Sequence, residues 1–191
     1  MAIQLPQRLS ALRRVGRPRR VRCTCRPNNC MLTYRPATLE DAAAVAALLR
    51  PLAEAFVLDP ASEEAAPFWA SVDAGAQRGY IASGRYRYTL AVAADGALAG
   101  FIALRDGRHL FHLFVAPVWQ GQGLATRLWR QALAADEAVA AAGGGAPVVF
   151  TVNASLPAVG FYRRLGFMPV GAAVAAHGIG FQPMRLSLPP A

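Results

Sequence analysis

Val115-Ala116-Pro117-Val118-Trp119-Gln120-Gly121-Gln122-Gly123-Leu124-Ala125-Thr126 is the stretch on which the reading of this chain turns. Ahead of it, His109 to Val115 is an apolar run that stops at Pro117; behind it, Leu124, Leu128, Ala132, Ala135 and Val139 recur every three or four residues, the spacing of a helix with one buried face. Strand, glycine loop and helix start therefore follow one another. The first amides of a helix lack intrahelical partners and carry the positive end of the macrodipole. Gly121 and Gly123 allow close backbone approach or unusual dihedrals, so the junction suits a pyrophosphate. A turn with incidental glycines is the plainer alternative.

Two common nucleotide motifs do not fit. A Walker loop needs Gly-Lys-Ser/Thr, and the chain has no lysine; a GxGxxG fingerprint needs a third glycine where Thr126 stands. Gln120-x-x-Gly123-x-Ala125 does fit a third pattern. It resembles the acetyl-CoA pyrophosphate loop of the GNAT N-acetyltransferase superfamily, and Leu113-Phe114-Val115-Ala116-Pro117 resembles that family's fourth strand.

Working upstream, Tyr86, Tyr88, Leu90 and Val92 alternate with other residues at a strand period, Asp95-Gly96 and Asp106-Gly107 read as hairpin turns, and Ala97–Leu104 lies between them. Three antiparallel strands thus feed the glycine loop. Leu32–Pro36 reads as a first strand. Thr38 with Asp41 opens an alanine-rich helix to about Arg50, Pro51 starts a second helical piece from Leu52 to Val57, and Ser62 opens a helix that Gly79 and Gly84 close. Downstream, Gly143-Gly144-Gly145 breaks the chain, Val148–Val152 is a buried strand, Ser155 with Pro157 begins a helix that ends at Gly166, and Ile179–Leu188 is a final strand.

The order is β-α-α-β-β-β-α-β-α-β-β, as in a GNAT domain, and Ala158-x-x-Phe161-Tyr162-x-x-Leu165-Gly166-Phe167 is similar to the family's second conserved block. The resemblance covers about Leu32 to Leu188. It is similar in detail to the subgroup with a His-Leu-Phe-Val fourth strand, a Val-Asn-x-Ser fifth strand and a final Gly-Ile-x-Phe-x-Pro-Met, here Gly178 to Met184. It implies an α/β (α+β) fold with a mixed, mostly antiparallel central sheet flanked by helices.

The resemblance also implies a function: an acetyl-CoA-dependent N-acetyltransferase acting on a primary amine, with acetyl-CoA as co-substrate and no metal. Backbone groups of Phe114, Val115 and Ala116 would pair with the pantetheine; Gln120, Gly121, Gln122, Gly123, Leu124, Ala125 and Thr126 would hold the pyrophosphate. Asn153 or Ser155 would supply the polar contact that many members make with asparagine; Ser155 stands seven residues before Tyr162, two helical turns. Tyr162 is the candidate general acid, donating a proton to the leaving sulfur, with a buried structural aromatic as its alternative. Many relatives use a carboxylate on the fourth strand as general base. None is present here. His109 and His112, three apart, would face opposite sides of a strand, and His112 is the candidate base, with His177 weaker. Glu54, Asp59, Glu63 and Glu64 could recognise a cationic acceptor or be a solvated surface.

Composition bounds these readings. Eight of the 20 arginines fall in residues 1–30, which contain no acid, and the remaining 12 stand against 11 acids. The basic balance therefore belongs to an N-terminal extension, read as disordered or as an upstream start, and 31–191 is the acetyltransferase domain. All three cysteines, Cys23, Cys25 and Cys30, lie in that extension. Without a thiol in the domain, direct attack in a ternary complex is expected in place of an acetyl-cysteine route. Neither secretory nor membrane-spanning runs are present, so a cytoplasmic protein with no membrane partner is expected, and an almost neutral domain without aromatic interleaving predicts no nucleic-acid partner. The partner implied is a small-molecule or peptide amine; homodimers are common in the family. The alternative is a non-catalytic, acetyl-CoA-binding regulatory domain, motivated by the missing carboxylate.

Overall fold

The computed structural model describes residues 31–135, 147–176 and 178–189. The extension at 1–30, the end of the helical repeat expected at Val139, the glycines at 143–145 and His177 lie outside the described residues. Eight strands among them form one sheet: β1 (Thr33–Pro36), β2 (Tyr86–Val92), β3 (Leu98–Arg105), β4 (His109–Val115), β5 (Val148–Ser155), β6 (Met168–Pro169), β7 (Val174–Ala176) and β8 (Ile179–Leu188). The order across the sheet is β1-β2-β3-β4-β5-β8-β6, with β7 also on β8. Every pairing is antiparallel except β4–β5.

Helices cover both faces. On one, α4 (Leu124–Ala134) and α5 (Val159–Arg164) place Leu124, Leu128, Trp129 and Phe161 against Ile102, Leu104, Leu110, Leu113 and Phe150. On the other, α1 (Ala42–Ala53), α2 (Ala66–Ser71) and α3 (Ala74–Ala82) join a second cluster in which Val45, Leu49, Phe56 and Phe68 meet Leu90, Phe101 and Phe114. Phe101 and Ile102, or Leu113 and Phe114, serve opposite clusters because successive strand residues point to opposite faces. A central sheet buried on both sides is the result, and it explains why β3 and β4 read as continuous apolar runs.

The structure corrects four local expectations. Pro51 does not start a new piece; α1 runs through it to Ala53. Proline removes one hydrogen bond near the end of the helix, while Leu49, Leu52 and Ala53 are buried on the continuing face. The helix expected after Ser62 is two helices, because the Asp73 carboxylate accepts the Ala76 N–H at 2.7 Å and caps α3. β5 extends past Val152 to Ser155, which places Asn153 and Ser155 in a strand paired with Pro183 and Phe181 of β8. Ser155 therefore does not share a helical face with Tyr162. After α5 there are three strands, β6 and β7 being short pieces held by β8.

Candidate active site

β4 and β5 separate almost as soon as they meet. They pair only at His109–Thr151 and Leu110–Val152, and from Phe111 onward β4 keeps β3 as its partner. A β-bulge sits at this divergence: Ala103 opposes His112 and Leu104 opposes Leu110, leaving Phe111 as the extra residue. The bulge changes the side-chain alternation. Phe111 and His112 both join the aromatic cluster on the α1–α3 side, stacked with ring centroids 4.1 Å apart. His109 points to that side too, its Nδ1 2.9 Å from the Thr151 hydroxyl. The two histidines thus share a face, contrary to the strict alternation expected from the sequence.

Beyond β4, the chain enters a short turn at Pro117–Trp119 and then the glycine loop. Gly121 and Gly123 both have φ of 74°, the left-handed conformation that side chains resist. Gly123 is the N-cap of α4, and Arg127 N–H donates to its carbonyl at 3.1 Å. The amides of Leu124, Ala125 and Thr126 lie ahead of that bond, at the positive helix end. Gln120 Nε2 donates to the Val115 carbonyl (2.9 Å) and Gln122 Nε2 to the Val118 carbonyl (2.8 Å). Both glutamine side chains therefore shape the loop, leaving its backbone to meet a ligand.

A cavity of about 620 Å³ opens beside this loop. Val115, Gln120, Gly121, Gly123, Leu124, Ala125 and Thr126 line it, together with Trp119. Phe114, Ala116, Gln122, Asn153, Ser155, Tyr162 and His112 do not. The far wall was missed in the sequence: Trp129, Arg130 and Leu133 of α4, Phe161 and Arg164 of α5, and Leu186 and Leu188 of β8. A signal for Arg130 was present, since Thr126, Arg130 and Leu133 fall on one helical face. Neither Arg130 nor Arg164 forms a salt bridge among the described residues. Amides at a helix start with two guanidinium groups form a donor set suited to phosphate.

The two candidate proton-transfer groups have one property in common. Tyr162 is fully buried and His112 is 3 % exposed, and the Tyr162 hydroxyl and His112 Nδ1 are the buried side-chain polar atoms without a hydrogen-bond partner among the described residues. Such orphans are rare. A closed motif at the end of α5 fixes Tyr162: Phe167 N–H donates to the Tyr162 carbonyl and Gly166 N–H to that of Arg163, both at 3.0 Å. The Tyr162 ring packs edge-on against Phe167, centroids 5.5 Å apart. Burial pushes the phenol well above its ordinary pKa, so it is protonated. His112 lies among Phe101, Phe111 and Phe114, and burial holds its imidazole well below the usual range, so it is neutral. Tyr162 belongs to the α4–α5 face and His112 to the α1–α3 face. Between those faces lies the gap where β4 leaves β5.

The family model described as an acetyltransferase (GNAT) domain matches residues 56–188. Among solved structures, the chain is similar to a GCN5-related N-acetyltransferase from Rhodopseudomonas palustris, with 28 % identity, 82 % of this chain and 96 % of that one covered, and a TM-score of 0.61. A PaiA N-acetyltransferase from Thermoplasma acidophilum in complex with coenzyme A gives 17 % identity, coverage of 82 % and 99 %, and a TM-score of 0.64. For a spermidine N-acetyltransferase from Vibrio cholerae the values are 18 %, 82 %, 93 % and 0.55. No curated protein sequence matches the chain.

Proposed function

The chain belongs to the GNAT acetyltransferase family, and from that premise we propose that it transfers an acetyl group from acetyl-CoA to a primary amine by direct attack in a ternary complex. The observation that carries this reading is the split sheet: β4 leaves β5 after Leu110, and the glycine loop that follows β4 lines a cavity together with Arg130 and Arg164. Acetyl-CoA supplies the activated acyl group as a thioester. The Leu124–Thr126 amides with Arg130 and Arg164 bind its phosphates, and the free edge of β4 from Leu113 to Ala116 takes the pantetheine as an added strand. Asn153 or Ser155, at the end of β5, contributes a further polar contact.

Transfer forms a carbon–nitrogen bond and breaks a carbon–sulfur bond, so the amine must lose a proton and the thiolate must gain one. The Tyr162 hydroxyl, protonated and without another partner, donates to the sulfur. His112, neutral and on the opposite face, is the candidate acceptor of the amine proton, which then passes to solvent because the buried site disfavours a lasting imidazolium. No cysteine is present in residues 31–191 to carry the acetyl group, which favours the direct route.

One sequence feature favours a second reading, a regulatory domain that binds acetyl-CoA without turnover: β4 reads His-Leu-Phe-His-Leu-Phe-Val and has no carboxylate. Calorimetric titration with acetyl-CoA, followed by chromatographic detection of coenzyme A and N-acetyl product over a panel of amines, separates the two. Saturable binding with amine-dependent product supports the enzyme; saturable binding with every amine untouched supports the regulator. A folded protein that does not bind acetyl-CoA overturns both.

A further inference from the structure

Strand register fixes where residues 1–30 join the domain. Thr33 of β1 lies opposite Val92 at the end of β2, Val92 opposite Leu98 at the start of β3, and the Ala99 carbonyl accepts the Ala116 N–H just past β4. The start of β1 and the end of β4 are therefore at one end of the sheet, three strand spacings or about 14 Å apart. At the other end of β2, Arg87 donates to the Ala135 and Ala132 carbonyls at 3.1 and 3.2 Å and holds the last turn of α4 there, so α4 opens at the end where β1 begins. Leu32 and Tyr34 pack against the same cluster as Leu124 and Leu128 of α4. Residues 1–30 thus join the domain at the end, and on the face, where the glycine loop starts α4.

The cavity beside that loop is lined by two cations, Arg130 and Arg164, and by no acid. The pyrophosphate and the phosphomonoester of coenzyme A together carry roughly four negative charges at neutral pH, about twice what two guanidinium groups match. Residues 1–30 hold eight arginines and no acid. Arg26 is seven residues before Thr33, and seven extended residues reach about 23 Å, more than the separation from the end of β4. The chain has no lysine, so each of these cations is a guanidinium, which stays charged and meets a phosphate with two parallel N–H donors.

Resting on the acetyltransferase reading, we propose that residues 1–30 are a phosphate-binding arm of the acetyl-CoA site, whose arginines neutralise the phosphomonoester that the α4 amides, Arg130 and Arg164 leave unmatched. Without ligand, the arm and the arginine pair repel one another; the bound anion joins them. Each exposed guanidinium–phosphate pair strengthens binding about threefold, so two pairs on the doubly charged group give about tenfold.

The test uses the full chain and compares the wild type with a variant carrying Arg17→Gln, Arg19→Gln, Arg20→Gln, Arg22→Gln and Arg26→Gln. In calorimetric titrations with acetyl-CoA, the variant's Kd is expected to be about tenfold weaker at about 50 mM salt and within about twofold of the wild type at about 300 mM, where exposed pairs are screened. For acetyl-dephospho-CoA, which lacks the phosphomonoester, the two proteins should agree within about twofold at either salt, a pattern that general damage to the fold would not give. Equal Kd values for acetyl-CoA, or a difference that ignores both salt and the phosphomonoester, overturns the arm while the acetyltransferase reading stands. A labelled single-stranded oligonucleotide bound by the wild type and lost by the variant, with acetyl-CoA affinity unchanged, assigns the arginines to nucleic acid and also overturns the arm. A wild type that binds no acetyl-CoA at either salt overturns the acetyltransferase reading and this inference with it.

Discussion

The Gln120 side-chain amide donates to the Val115 carbonyl across 2.9 Å and so ties the glycine loop to the last residue of β4. A backbone acceptor on the strand and a side chain from the loop thereby hold the glycine loop, the proposed phosphate site, at a set distance from the split between β4 and β5. Gln120→Ala removes this tie, with an expected loss of about 1 kcal/mol of stability and a several-fold weaker Kd for acetyl-CoA. Gln120→Glu should be worse, because a carboxylate cannot donate to the carbonyl and adds negative charge near the phosphates. Calorimetry and urea denaturation check both.

Gly123 caps α4 with φ of 74°, and a Cβ at this position would meet no atom within 4 Å. Conformation, not crowding, demands glycine here. Gly123→Ala is therefore expected to cost about 1–2 kcal/mol, lowering Tm by roughly 2–8 °C. Gly123→Glu carries the same backbone cost and sets a negative charge at the helix start, so acetyl-CoA binding should disappear in a protein that still folds. Binding that survives Gly123→Glu would remove the loop from the site.

Tyr162→Phe should separate stability from activity. An unbonded buried hydroxyl is a destabilising group, so its removal is expected to raise the urea midpoint, by an amount corresponding to about 1 kcal/mol. The same change deletes the proposed proton donor and should lower kcat on the order of a hundredfold. A variant that loses stability would show that the hydroxyl is bonded in solution; one that keeps full kcat would end its role as acid.

Acid sensitivity should come first from the β4 histidines. Burial holds His109 down to about 4 and His112 well below its ordinary value, whereas histidine in the unfolded chain titrates near about 6.5. Between these limits the unfolded state binds more protons, so stability is complete above about pH 6.5 and falls as pH drops toward 4. His109→Gln should flatten part of that decline. Below pH 4 a further loss follows from Asp41, which the Arg35 guanidinium at 2.7 Å holds down to about 2; its partly exposed setting keeps that contribution small. Urea midpoints at pH 7.5, 6, 5 and 4 measure the first decline.

His112→Gln tests the proposed base by its pH profile. The imidazole is neutral at working pH, and its loss should lower kcat on the order of a hundredfold while the Kd for acetyl-CoA, which involves the opposite face, changes little. An equal loss of acetyl-CoA affinity and of kcat would mean that His112 only packs among its phenylalanines.

Strand, loop and helix around Gly121 and Gly123 were legible because every determinant is local: glycine dihedrals, an apolar run broken by Pro117, and a helical repeat from Leu124. The hairpin turns at Asp95-Gly96 and Asp106-Gly107 were legible for the same reason, as were Gly166 and the block around Tyr162. Asp73 misled because a cap competes with helical continuity on a scale of about 1 kcal/mol, too small to stand out from sequence. Tertiary structure decided the rest. Only strand register reveals the bulge at Phe111, which turns His112 to the side of His109; only burial and geometry show that the Tyr162 hydroxyl and His112 Nδ1 lack partners; and Arg130 and Arg164 meet across one cavity from separate helices. Backbone propensities act over a few neighbours and are written in order along the sequence, whereas a site built from side chains across a sheet depends on pairings that form only when the whole core closes.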